Sequence, residues 1–158
     1  ELIRKLRIAV PNIALTTDII TGFCGESDED FRLTYELMEE IRYDSAFMFK
    51  YSAREGTYAH KKMSDDIPEE IKGERLQRVI KLQEGISREV NRQYIGQTVE
   101  VLVEGPSKRP AKDGQPRFYG RTLQGKTAIF TQEIQRNEIV NVRVADTTSH
   151  TLLGEIAE

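Results

Sequence analysis

The chain has 158 residues, of which 38% are hydrophobic and 31% charged, with a formal net charge of −3. This composition is ordinary for a folded globular protein and leaves room for one domain or two small ones; it argues against disorder and against a polycation that coats nucleic acid. Apolar runs such as Ile13-Ala14-Leu15 fall far short of the roughly 20 residues a membrane span needs, and no charged-then-apolar leader opens the chain, so a cytoplasmic protein without a membrane partner is expected.

In chain order, Leu2, Ile3 and Leu6 recur at helical spacing until Pro11 stops the pattern, which reads as the end of a helix without its beginning and hence as a piece of a longer protein. Ile13 to Ile20 is apolar and β-branched without clean alternation, the pattern of a strand buried on both faces of a parallel sheet. Gly22 and Gly25 break it. Ser27 and Asp30 form a capping box, with Asp28, Glu29 and Asp30 at the positive end of a helix predicted over 28–42. Ala46-Phe47-Met48-Phe49 is a second buried strand. Asp66 and Glu69 bracket Pro68 and open a long helix reaching about Asn91, with Leu76, Val79, Leu82, Ile86 and Val90 as its apolar stripe. Helix, strand, helix, strand with brief links calls for parallel β/α units.

From Gln97 the period changes to alternation, with Val99, Val101 and Val103 on one face, and further short strands read at 117–123, 127–130, 138–146 and 151–157. Five short strands so close together predict a small antiparallel barrel. Residues 1–93 and 94–158 are thus expected to be separate domains. Across 108–126 the cations Lys108, Arg109, Lys112, Arg117, Arg121 and Lys126 face only Asp113, a net of +5. Phe118 and Tyr119 lie among them, the mixture of charge and stacking surface that suits unstacked RNA bases, although a solvated charged loop is the plainer reading of such a run. One cysteine, Cys24, excludes an internal disulfide, and with only His60 and His150 beside it no metal-ligand set is expected.

Thr16-Thr17-Asp18-Ile19-Ile20-Thr21-Gly22-Phe23-Cys24-Gly25-Glu26-Ser27 places a Gly-rich turn at the C-terminal end of a strand, where parallel α/β folds keep their active sites. The segment resembles a block of the radical-SAM methylthiotransferase family. Tyr51-Ser52-Ala53-Arg54-Glu55-Gly56-Thr57, Arg75-Leu76 and Gly120-Arg121-Thr122 resemble further blocks of that family in the same order. Asp18 after two threonines, and Ala46 to Lys50 before Tyr51-Ser52, resemble the MiaB-type branch, which acts on isopentenyladenosine beside the tRNA anticodon.

The resemblance implies an α/β plus all-β fold: the C-terminal half of a radical-SAM partial TIM barrel, then an OB-like TRAM barrel that contacts tRNA. It implies S-adenosylmethionine and two [4Fe-4S] clusters as cofactors, with the cluster cysteines supplied by the upstream half of the same polypeptide; Cys24 is expected to be a structural thiol. Asp18, Glu26, Tyr51, Ser52 and Arg54 are the expected cofactor or substrate contacts. Asp18 is either a paired structural charge or a cavity-facing group, and Arg54 either grips a carboxylate or phosphate or pairs with Glu26 or Asp18. Lys108, Arg109, Lys112, Arg117, Phe118, Tyr119, Arg121 and Lys126 are the expected RNA contacts. Open strand edges in a half-barrel predict self-association. Competing readings are a freestanding RNA-binding module, and the branches acting on a ribosomal protein or on threonylcarbamoyladenosine.

Overall fold

The computed structural model describes residues 1–108 and 114–157. The chain forms two compact units, one of residues 15–86 and one of residues 1–14 with 87–158. In order, the elements are α1 (Leu2–Ala9), β1 (Thr16–Thr21), α2 (Asp28–Ile41), β2 (Ser45–Lys50), α3 (Tyr58–Lys62), α4 (Glu69–Arg92), β3 (Thr98–Pro106), β4 (Phe118–Thr122), β5 (Thr127–Phe130), β6 (Ile139–Thr147) and β7 (Thr151–Ile156). Helix α4 contributes residues to both units.

In the first unit β1 and β2 pair in parallel, Asp18 opposite Phe47 and Ile20 opposite Phe49. Helix α2 starts at the expected place because Ser27 Oγ accepts from Asp30 N–H (3.1 Å) while Asp30 Oδ2 accepts from Ser27 N–H (2.9 Å). These bonds with Ser27 hold the Asp30 carboxyl below its ordinary pKa. Their contribution is therefore present above the ordinary carboxyl range and lost as pH falls through the lowered value. Phe31 and Met38 of α2 and Val79 of α4 are buried against Ile19, Ala46 and Met48 of the sheet.

The expectation of strands buried on both faces is overturned. Ile20, Phe47 and Phe49 are 53%, 66% and 55% exposed. Within this unit, helices cover the side carrying Thr17, Ile19 and Met48, and none of its described strands or helices covers the side carrying Asp18, Ile20 and Phe47. Alternation in β1 and β2 was hidden because the uncovered side is apolar too.

In the second unit five strands close into a barrel in the order β3-β4-β5-β7-β6. All pairings are antiparallel except β5 with β7. Val101, Val103, Phe118, Ala128, Phe130, Val142, Val144 and Leu152 fill it. Asn91, near the end of α4, is buried and ties two strand connections: its Nδ2 donates to Thr148 O (2.9 Å) and its Oδ1 accepts from Lys126 Nζ (2.9 Å).

Candidate functional site

The turn after β1 is shaped by charged side chains from the start of α4. Gly22 has φ +72°, and a Cβ there would lie 2.3 Å from Lys72 Cγ, so only glycine allows the lysine stem to cross the turn. Lys72 is buried and paired with Asp65, with its ammonium 5.3 Å from the centre of the Tyr51 ring. Arg75 donates from Nη1 to Glu26 Oε2 (2.5 Å) and Glu26 O (3.0 Å), and from Nη2 to Asp28 Oδ1 (2.7 Å). Burial works against the Arg75 charge, but donation to Asp28 and Glu26 outweighs it and its pKa is raised.

This occupancy decides what the turn offers. Glu26 Oε2 also accepts from Gly22 N–H (2.8 Å), and Asp66 Oδ1 accepts from Gly25 N–H (2.8 Å). Glu26 and Asp66 thus fill the glycine donors that a phosphate cradle would need. Glu26, expected to contact a ligand, is thus an internal clamp, with its side chain 10% exposed. Asp66, expected to cap α4, reaches the turn instead.

Tyr51 is engaged in the same turn. Its N–H donates to Thr21 O (2.8 Å), its ring is buried, and it meets Phe23 edge-on with ring centres 4.9 Å apart. A hydrogen bond with the Cys24 thiol, followed by burial, raises the Tyr51 phenol above its ordinary pKa. Cys24 is buried as expected.

Three of the expected contacts do remain open. Asp18, Ser52 and Arg54 are exposed. Asp18 lies mid-strand opposite Phe47, on the uncovered face of the sheet. Arg54 does not reach Glu26, whose cationic partner is Arg75; its carbonyl accepts from Thr57 Oγ1 (2.8 Å), which also caps the short helix α3, an element the sequence reading missed.

The buried cations Lys72 and Arg75 were missed as clamp residues. Their signal was present: Lys72 and Leu76 are four residues apart and Arg75 and Val79 likewise, so a basic residue occupies the apolar stripe of α4.

On the barrel, β4 points Phe118, Gly120 and Thr122 inward and Tyr119 and Arg121 outward. Phe118 is therefore a core residue, contrary to the expectation that it offers a stacking face. Lys126 is engaged within the barrel unit: its ammonium donates to Asn91 and lies 5.5 Å from the Tyr94 ring centre. Arg121 is exposed, 3.6 Å from Glu104 and donating to Gly125 O (3.2 Å). Lys108 is exposed and Arg117 half-buried, the latter's carbonyl accepting from Ser107 N–H (2.7 Å). Arg109 and Lys112 lie outside the described residues.

The Gly120-Arg121-Thr122 block accordingly carries architecture as well as charge. Thr122 Oγ1 accepts from Lys126 N–H (3.2 Å), closing the β4–β5 turn over the Arg121 contact.

The described residues contain no group of three or more His, Cys, Asp or Glu that would hold a metal ion. The donor set does not fit an iron-sulfur cluster, since cluster ligation takes several thiolates and the chain has a single cysteine, which is buried. No described helix is long and apolar enough to cross a membrane.

Residues 92–157 match the TRAM domain family. Over 157 residues, 99% of its length, the chain is 48% identical to the tRNA-2-methylthio-N(6)-dimethylallyladenosine synthase of Porphyromonas gingivalis strain W83, covering 33% of that protein. It is 50% identical to the protein of the same name from Chlorobium limicola, over 99% of the chain and 35% of the relative. With that of Bacteroides thetaiotaomicron it shares 46% identity, over 97% of the chain and 33% of the relative. The chain spans about a third of the length of these curated relatives.

Proposed function

We propose that this chain is the C-terminal portion of a tRNA-2-methylthio-N(6)-dimethylallyladenosine synthase, an enzyme that methylthiolates carbon 2 of isopentenyladenosine beside the anticodon. The observation that carries the reading is 46–50% identity to synthases of that name over nearly the whole chain. In this reading residues 1–93 are the second half of a radical-SAM partial barrel and residues 94–158 the tRNA-binding TRAM domain. The [4Fe-4S] clusters are held outside this chain, and S-adenosylmethionine supplies the radical chemistry there. Asp18, Ser52 and Arg54 are the residues left open to meet cofactor or substrate at the sheet.

The TRAM barrel binds the anticodon stem-loop in the cytoplasm through the outward side of β4. Arg121 lies beside Glu104 and donates to Gly125 O, Tyr119 stands two residues before it on the same face, and Arg117 and Lys108 flank the strand. Phosphate contacts of this kind weaken as salt rises. In the full-length enzyme carrying this chain, Arg117→Glu with Arg121→Glu is expected to lower stem-loop affinity about 100-fold at low salt and to flatten the salt slope by about 2. Filter binding at several salt concentrations measures both. Unchanged affinity removes the barrel from the reading, and a parent enzyme that makes no 5′-deoxyadenosine from S-adenosylmethionine removes the enzyme.

The uncovered face of Ile20, Phe47 and Phe49 is where the upstream half of the polypeptide packs. Left without it, the 158-residue chain buries that apolar face against a second copy. Size-exclusion chromatography is expected to give a dimer or larger species; a monomer across micromolar concentrations contradicts this.

A further inference from the structure

The two bulges of the barrel are alike in geometry and unlike in what they carry. In β3 the register shifts between Val103 and Gly105, leaving Glu104 with no residue opposite it on β4. In β6 it shifts between Val144 and Asp146, leaving Ala145 in the same position against β7. Alanine therefore satisfies the bend, and the carboxylate of Glu104 is extra to what closing the barrel requires. A bulge also re-aims the side chain that it displaces.

Glu104 is aimed at Arg121. The two are not ladder partners, since Arg121 stands opposite Leu102, yet Glu104 Oε1 lies 3.6 Å from Arg121 Nε. Nη1 of the same guanidinium donates to Gly125 O (3.2 Å). The edge of Nε and Nη2 remains, a fork of the kind with which arginine takes a phosphate through two parallel bonds. At 3.6 Å Glu104 screens that edge by charge without a hydrogen bond to it. The Arg121 and Glu104 side chains are 51% and 36% exposed, so an incoming anion can part the pair. An ion pair this open to solvent biases an equilibrium only a few-fold.

We propose that Glu104 guards Arg121, making it a phosphate contact only for an RNA strand seated well enough to displace the carboxylate, and is thus a specificity-determining residue of the barrel. The inference rests on the RNA-binding reading above. A seated strand presents a phosphate to the fork and regains through charge-assisted bonds what parting the pair costs. A loosely held polyanion lacks that geometry and meets a carboxylate where it would otherwise be drawn to a bare cation.

The test uses the full-length enzyme carrying this chain. Filter binding at several salt concentrations gives Kd for the isopentenyladenosine stem-loop and for a uridine homopolymer. Glu104→Gln keeps the side-chain shape and removes the charge. It is expected to tighten homopolymer binding about threefold to fivefold at low salt and stem-loop binding by less than about twofold, with both gains fading as salt rises. Because Glu104 acts through Arg121, the same substitution made beside Arg121→Gln is expected to change neither Kd. Glu155→Gln removes an equal charge from β7, which does not pair with β4, and is expected to leave the preference for the stem-loop unchanged.

An equal gain for both RNAs, or a gain that Glu155→Gln reproduces or that persists beside Arg121→Gln, reduces Glu104 to one more negative charge and overturns the guard. Weaker binding in Glu104→Gln overturns it as well, since the carboxylate would then be orienting Arg121 for RNA. No change for either RNA overturns the guard alone, provided that Arg117→Glu with Arg121→Glu still loses affinity. If that double variant binds the stem-loop as the parent does, the RNA-binding reading falls and the guard with it.

Discussion

Arg75→Met is expected to destabilise the sheet-and-helix unit by about 3 kcal/mol, the cost of leaving a buried charge without its partner. The Arg75 side chain is 6% exposed and that of Glu26 10%, so removing the guanidinium strands the Glu26 carboxylate in a site closed to water. Asp28 is also bonded to Arg75 but is fully solvated, so its loss as a partner costs little. The substitution also removes the stack of Arg75 over Phe31, whose ring centre lies 5.4 Å from the guanidinium carbon.

The double-mutant cycle separates pairing from burial. Glu26→Gln alone leaves a cation without its charge partner, while Arg75→Met with Glu26→Gln removes both charges and is expected to recover more than half of the single-variant loss. Hydrogen exchange at the Ile19 and Thr21 amides reads this unit without the barrel. A loss below about 1 kcal/mol in Arg75→Met means that the pair is not clamping the turn.

The Arg75–Glu26 pair is set by tertiary contacts that local sequence signals do not carry. Most elements were legible: the capping box at Ser27 and Asp30 set the start of α2, and valine alternation at 99, 101 and 103 marked a barrel strand and grouped on one face the residues that pack in the core. Both signals are local, since a cap spans three residues and a strand's period is two. Tertiary choices were not local. The partner of Glu26 lies 49 residues away on a helix whose apolar stripe already accounted for its burial. Phe118 and Tyr119 are adjacent in sequence and alike in chemistry, and only the register of β4 sends one to the core and the other outward. Lys126 looked like any other cation of the basic run until Asn91, 35 residues earlier, was brought beside it.

The same dependence on register gives the sharpest expectation for the barrel. Gly154→Ala and Gly120→Ala are each expected to destabilise it by about 3 kcal/mol, at the upper end for overpacking, because the clash is with main chain and no rotamer relieves it. A Cβ at Gly154 would lie 2.2 Å from Arg143 O, and one at Gly120 would lie 2.3 Å from Leu102 O.

The two sites are matched in position. Gly120 pairs with Val103 just before the register shift between Val103 and Gly105, and Gly154 pairs with Val144 just before the shift between Val144 and Asp146. Bulges bend and coil strands so that a small sheet can close, and glycine opposite lets the neighbouring backbone approach closely enough for that bend. An added methyl group would push the strands apart at the points where the barrel turns. Gly73→Ala, in a helical position with nothing within 4 Å of its Cβ, serves as the control and is expected to stabilise slightly through helix propensity. Exchange at the Val101 and Val142 amides reads barrel opening directly. Protection falling less than tenfold in both barrel variants means that the strands can separate at these points without cost to closure, and the glycines are not what lets the barrel close.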